Sequence, residues 1–238
     1  MKTLINVRLS TWVLLLGLCV SYVCAAALPA SWGWENGPLE TYQAVTLLVG
    51  VLLSWIAAYQ QRDMSTSKIW LVASLFWLGM LGRELAWGAV FLPAMGVDPQ
   101  SGPRYTSSVL WWKPAVVWVC SALLVVCLYW VVRYRLLQRV VLRWLRERSM
   151  TWGCLMVFVL AMVMGAMAEG HAGGLLDKLP ESARMVMEEM AECWAYMALW
   201  WAQWRLVHDM QDWRASSYLQ AMHFALPSLG ESFERRSI

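Results

Sequence analysis

The stretch ARMVMEEMAECWAYMALWWAQW, residues 183–204, decides how this chain folds. Its length suits a membrane-spanning helix, which needs about 20 mostly apolar residues. Yet it carries Glu188, Glu189 and Glu192. Set Glu188 at zero and advance about 100° per residue. Glu192 then falls near 40°, Gln203 near 60°, Tyr196 near 80° and Glu189 near 100°, all on one polar stripe. Ala191, Ala195, Ala198 and Ala202 fill the arc from about 280° to 340°, a small-residue face suited to close helix packing. Trp194, Trp200, Trp201 and Trp204 lie between about 120° and 240°, where lipid or another span can take them. Three ordered faces mark a span whose charges point into a bundle.

Working outward, five further stretches are long and apolar enough to cross a bilayer: 11–30, 41–59, 69–92, 110–132 and 151–170. Hydrophobic residues make up 60% of the 238, charged residues only 15%, and there are 18 tryptophans. A soluble domain carries about 25% charge. Disorder would need low hydrophobicity and high net charge, and the net charge is only +3. Nucleic acid is excluded as a partner, because the basic residues flank apolar runs instead of clustering with base-reading groups. The expected fold is an all-α membrane protein, one polytopic domain of about six transmembrane helices with the bilayer as its first partner. Short connections leave no room for a soluble domain.

Basic residues set the orientation. With a cytoplasmic N-terminus, fourteen of the 19 Lys and Arg fall inside. Arg104, Lys113, Lys178 and Arg184 fall outside, and Arg83 lies within a span. That bias follows the positive-inside rule and places both termini in the cytoplasm. The start of the chain has a second reading. Lys2 and Arg8, an apolar run over 12–23 and Ala25-Ala26-Ala27 also fit a cleavable signal peptide over 1–27, leaving five spans in the same orientation. Segment 134–148, YRLLQRVVLRWLRER, is basic and amphipathic, and is expected to extend span four along anionic headgroups. The tail, 208–238, is expected to form a cytoplasmic interfacial helix with a frayed end.

The six cysteines all lie in spans without a CxxC pair, so they read as small buried apolar residues. His171, His208 and His223 cannot supply bis-histidine haem ligation within the membrane. Walker, GxGxxG, HExxH and nucleophile-elbow motifs are absent from the sequence.

The remaining polar residues collect at one depth. Stretch 35–40, ENGPLE, opens span two, followed by Gln43, Thr46, Gly50 and Ser54 along one stripe. Span three carries Arg83-Glu84. Span five ends with Ala161, Gly165 and Glu169, then His171. With the topology above, Glu35, Glu40, Arg83, Glu84, Glu169, His171, Glu188, Glu189 and Glu192 all belong to the outer half. One polar cavity opening to the outside is expected, titrating as a coupled unit because crowded carboxylates cannot all ionise cheaply.

Three chemistries suit such a cavity. Its charges can pair to fix helix register and mate spans, other membrane subunits or a second copy, which makes the chain an accessory or assembly protein. In the enzyme reading, Glu84, Glu188 and Glu192 are the catalytic candidates. Arg83, Glu35, Glu40 and Tyr196 would bind ligand, with Arg83 anchoring a phosphate or carboxylate. Glu169, His171 and Glu189 would hold a divalent metal that activates water against a lipid or lipid-linked substrate at the outer leaflet. Intramembrane carboxylates also serve proton- or cation-coupled transport.

Two pieces resemble a pattern found in uncharacterised bacterial multi-pass membrane proteins. There, E-D-G-x-x-E opens one span and E-E-[IL]-S-W-G lies in the next. Here the pieces read Glu35-Asn36-Gly37-Pro38-Leu39-Glu40 and Arg83-Glu84-Leu85-Ala86-Trp87-Gly88. Asn36, Arg83 and Ala86 depart from it. The resemblance implies a bacterial inner membrane, with the cavity facing the periplasm, and implies no activity. Membrane-embedded ceramidase-like hydrolases use several histidines on seven spans, which this chain lacks.

Overall fold

The computed structural model describes residues 2–61, 64–99, 101–142, 151–170 and 179–234. Six long helices carry most of these: α1 (Lys2–Ala25), α2 (Pro38–Gln60), α3 (Met64–Glu84), α4 (Lys113–Arg133), α5 (Trp152–Ala168) and α6 (Glu181–Glu234). The local start signals are ordinary ones. Proline stands in the first turn of α2 and of α4, and Glu40 lies in the first turn of α2. Proline has no N–H to leave unpaired there, and an acid favours the positive helix end.

The chain divides into two compact units, Met1–Ala202 and Gln203–Ile238. In the first, α1, α2, α3, α5 and α6 share a core of Leu18, Leu47, Val51, Trp77, Ala161, Ala191, Ala195 and Tyr196. A neighbouring cluster joins Leu14, Cys154, Val157, Ala198 and Ala202. The alanine face of residues 191–202 is therefore a packing face. A third cluster, Ala25, Ala168, Val186 and Met187, sets the ends of α1 and α5 beside the opening turns of α6. In the second unit, the Trp204 and His208 rings meet edge-on, 4.6 Å between centroids.

Helices approach closely where an indole lies on a glycine. A Cβ on Gly50 would sit 2.5 Å from the Trp77 ring, and one on Gly17 would sit 2.3 Å from Trp194. Trp194, on the face assigned to lipid or another span, is taken by α1, where its Nε1 donates to Ser21 Oγ at 2.7 Å.

Helix α4 stands apart, with none of its residues buried. The Lys68 ammonium of α3 lies 4.8 Å from the centre of the Trp130 ring. Trp112 Nε1 donates to Trp87 O at 3.3 Å.

Two stretches among the described residues, Ala30–Gln60 and Lys113–Arg133, are long and apolar enough to cross a membrane. Leu9–Ala25 and Trp152–Ala168 are apolar but shorter. The apolar parts of α3 and α6 are interrupted by charges, Lys68, Arg83 and Glu84 in one and Arg184, Glu188, Glu189 and Glu192 in the other.

Three sequence expectations are corrected. The run 69–92 is not one helix: α3 stops at Glu84, and a 3₁₀ segment, Ala86–Phe91, follows. The hairpin β1 (Gly96–Asp98) with β2 (Gly102–Arg104), Val97 opposite Pro103, was not expected at all. Segment 134–148 does not simply continue α4. Arg135 takes a left-handed φ of 50° and a short π-helical turn, Leu137–Val141, follows; 143–150 lie outside the described residues.

Candidate functional site

The site grows from the end of α3. After Leu85, three successive residues turn left-handed: Ala86 at φ 42°, Trp87 at 56° and Gly88 at 102°. That conformation costs an L-residue with a side chain about 1–2 kcal/mol. The turn folds the Trp87 indole back over Gly82, where a Cβ would lie 2.6 Å from the ring. The helix therefore ends abruptly, on the charged pair Arg83-Glu84 itself.

Arg83 bridges to α6. Its Nη2 donates to Glu84 Oε1 at 2.7 Å, to Glu192 Oε1 at 2.9 Å and to Tyr196 Oη at 3.1 Å. Its Nε donates to Glu84 Oε1 at 3.2 Å. Tyr196 in turn donates its hydroxyl to Glu84 Oε1 at 2.7 Å. Glu84 and Tyr196 are buried, while 57% of the Arg83 side chain is exposed. One guanidinium thus meets two carboxylates and one phenol, with three of the five bonds converging on Glu84 Oε1. Charge-assisted bonds of this kind fix orientation as well as energy.

One turn earlier on α6, Glu189 belongs to α2. The fully buried Gln43 donates Nε2 to Glu189 Oε2 at 2.7 Å and to Glu189 O at 2.9 Å. The other amide atom, Gln43 Oε1, is buried without a hydrogen-bond partner. Further along the stripe, Thr46 and Ser54 donate back to the carbonyls of Tyr42 and Gly50. Those hydroxyls satisfy themselves within α2.

The structure therefore joins four of the sequence candidates, Arg83, Glu84, Glu192 and Tyr196, and sets Glu189 nearby on Gln43. Gln43 had been read only as part of a polar stripe. Its inward phase was the signal for burial, and nothing local pointed to Glu189. Glu188 is half-buried on the same stretch of α6. Glu40 closes its own turn, accepting from the Asn36 N–H. Glu35 leaves the cluster altogether. Its carboxylate accepts from the Tyr105 N–H and lines a separate cavity of about 570 Å³ with Met95, Arg104 and Thr106. Glu169 is exposed at the end of α5. His171 lies outside the described residues. Among those described, no group of three or more His, Cys, Asp or Glu side chains is arranged to hold a metal ion. None of the six cysteines forms a disulfide. The chain matches no protein-family model, no curated protein and no solved structure.

Proposed function

We propose that the chain is a multi-pass protein of a bacterial inner membrane, with six spans and both termini in the cytoplasm. Its role in this reading is that of an accessory or assembly protein. The polar end of the bundle faces the periplasm.

One observation carries the assembly reading: the Arg83 cluster ties α3 to α6 through three hydrogen bonds. A catalytic group needs free lone pairs or protons aimed at a substrate. Here the buried Tyr196 and Glu84 are bonded to each other, and Arg83 is matched by Glu84 and Glu192. Such an arrangement mates helices. The large apolar side chains that stay bare are most numerous on α4. Helix surfaces of this kind are covered by lipid or by other membrane subunits.

The test is photo-crosslinking from Val125, at the middle of exposed α4, in native membranes. Protein adducts of defined mass are expected; adducts with lipid alone would sink the assembly role. Metal analysis of the purified protein separates the alternative. Stoichiometric divalent metal, removed by both Glu84→Gln and Glu192→Gln, would replace assembly with hydrolysis of a lipid or lipid-linked substrate.

A further inference from the structure

We propose that the groove between Glu35 and the β1–β2 hairpin is a headgroup site for a zwitterionic aminophospholipid. Arg104 takes the phosphate and Glu35 the ammonium. The inference rests on the membrane reading above, which puts this end of the bundle at the outer leaflet.

The groove has the size of a small-molecule site. Its roughly 570 Å³ falls within the range of about 300–1,000 Å³ common for such pockets. Both charges are positioned and neither is fully used. Glu35 is held to the wall by one oxygen, Oε2, which accepts from the Tyr105 N–H; Oε1 is left for a ligand. Arg104 is held by Nη2 alone, at 3.1 Å from Asp98 Oδ2 and 3.4 Å from Ser101 Oγ. Its Nη1 and Nε are left over, and 67% of its side chain is exposed. Each of these nitrogens can donate one charge-assisted hydrogen bond to a phosphate oxygen. A carboxylate matches a primary ammonium, which brings three donors and no acceptor.

The surroundings suit a lipid over a soluble zwitterion. Met95 and Pro103 line the groove beside the charges. Around the hairpin, Phe91, Val97 and Trp111 are 75%, 74% and 86% exposed. Large apolar side chains bared in the hairpin and in the stretches that flank it in sequence fit the boundary between headgroups and acyl chains, where tryptophan collects. The hairpin is also anchored: the Trp34 ring lies against Gly102, where a Cβ would meet it at 2.4 Å.

The test uses the full chain in mild detergent, offered equal amounts of phosphatidylethanolamine, phosphatidylcholine and phosphatidylglycerol with matched acyl chains. Native mass spectrometry reads which lipids stay bound. Phosphatidylcholine keeps the positive charge but has no N–H donor, and phosphatidylglycerol has no cation. Preferential retention of phosphatidylethanolamine by the wild type is expected, a comparison that needs no variant to fold. Glu35→Gln and Arg104→Gln should each lower it about fivefold, and Lys113→Gln should leave it unchanged. Equal retention of the three lipids, or a preference untouched by both substitutions, overturns the site. Protection from heat by soluble phosphoethanolamine without lipid retention overturns the lipid as its occupant. A reporter in the 93–107 loop that reads cytoplasmic would remove the membrane orientation itself. An external reading with no headgroup preference removes this assignment alone.

Discussion

At the scale of the residue, the Tyr196 hydroxyl is the atom on which the site turns. It donates to Glu84 and accepts from Arg83 in the core of the bundle. Tyr196→Phe leaves a buried carboxylate short of a donor, and should lower stability by about 1–3 kcal/mol. Thermal unfolding in detergent measures it, with Tyr42→Phe as the control because the Tyr42 hydroxyl contacts only Met197 Sδ in an exposed setting. Equal melting of the two variants would show that the hydroxyl does not hold the cluster. Much of this constellation was legible in advance. Helical phase places Glu192 and Tyr196 about 40° apart on one stripe, and the depth expected from charge bias groups Arg83 and Glu84 with them. Glu35 was misplaced for a physical reason. Its partner is a backbone N–H at Tyr105, seventy positions away, and a backbone donor has no signature in side-chain pattern. The bond from Gln43 to Glu189 was equally silent.

At the scale of the element, what hydropathy counts explains what it missed. Residues 85–92 are nearly all apolar, so the run 69–92 reads as one span. Backbone handedness is invisible to such counting, and Gly88 was the one local hint of a stop. The hairpin has three-residue strands beginning at Gly96 and Gly102, too short for any alternation to show. The close approach of α2 and α3 makes a sharper claim. Gly50→Ala drives a methyl into the Trp77 indole and should cost about 1–3 kcal/mol. Trp77→Leu on the same chain should return part of it. A double-mutant cycle checks this: additive losses would mean that the two residues do not meet.

At the scale of the whole molecule, composition led to an expectation of apolar helices without saying which of them is left unburied. Helix α4 is apolar all round, and a sequence of that kind describes a buried helix as well as a lipid-facing one. Only packing separates the cases. The six-span topology has its own measurement. A reporter fused after Ile238 should read cytoplasmic and one inserted near Gly173 should read external; either reversed result overturns it. The seating of indoles on glycines has a consequence for the history of such a chain. Gly17 with Trp194, Gly50 with Trp77 and Gly82 with Trp87 form three close pairs in which space alone restricts the glycine. While the indole stays, a bulkier residue at the glycine forces the ring to shift, at a cost in stability. Once the indole is lost, a void opens that a bulkier residue can fill. Replacement then costs least in one order, tryptophan first and glycine second, and descendants should tend to carry the two departures together.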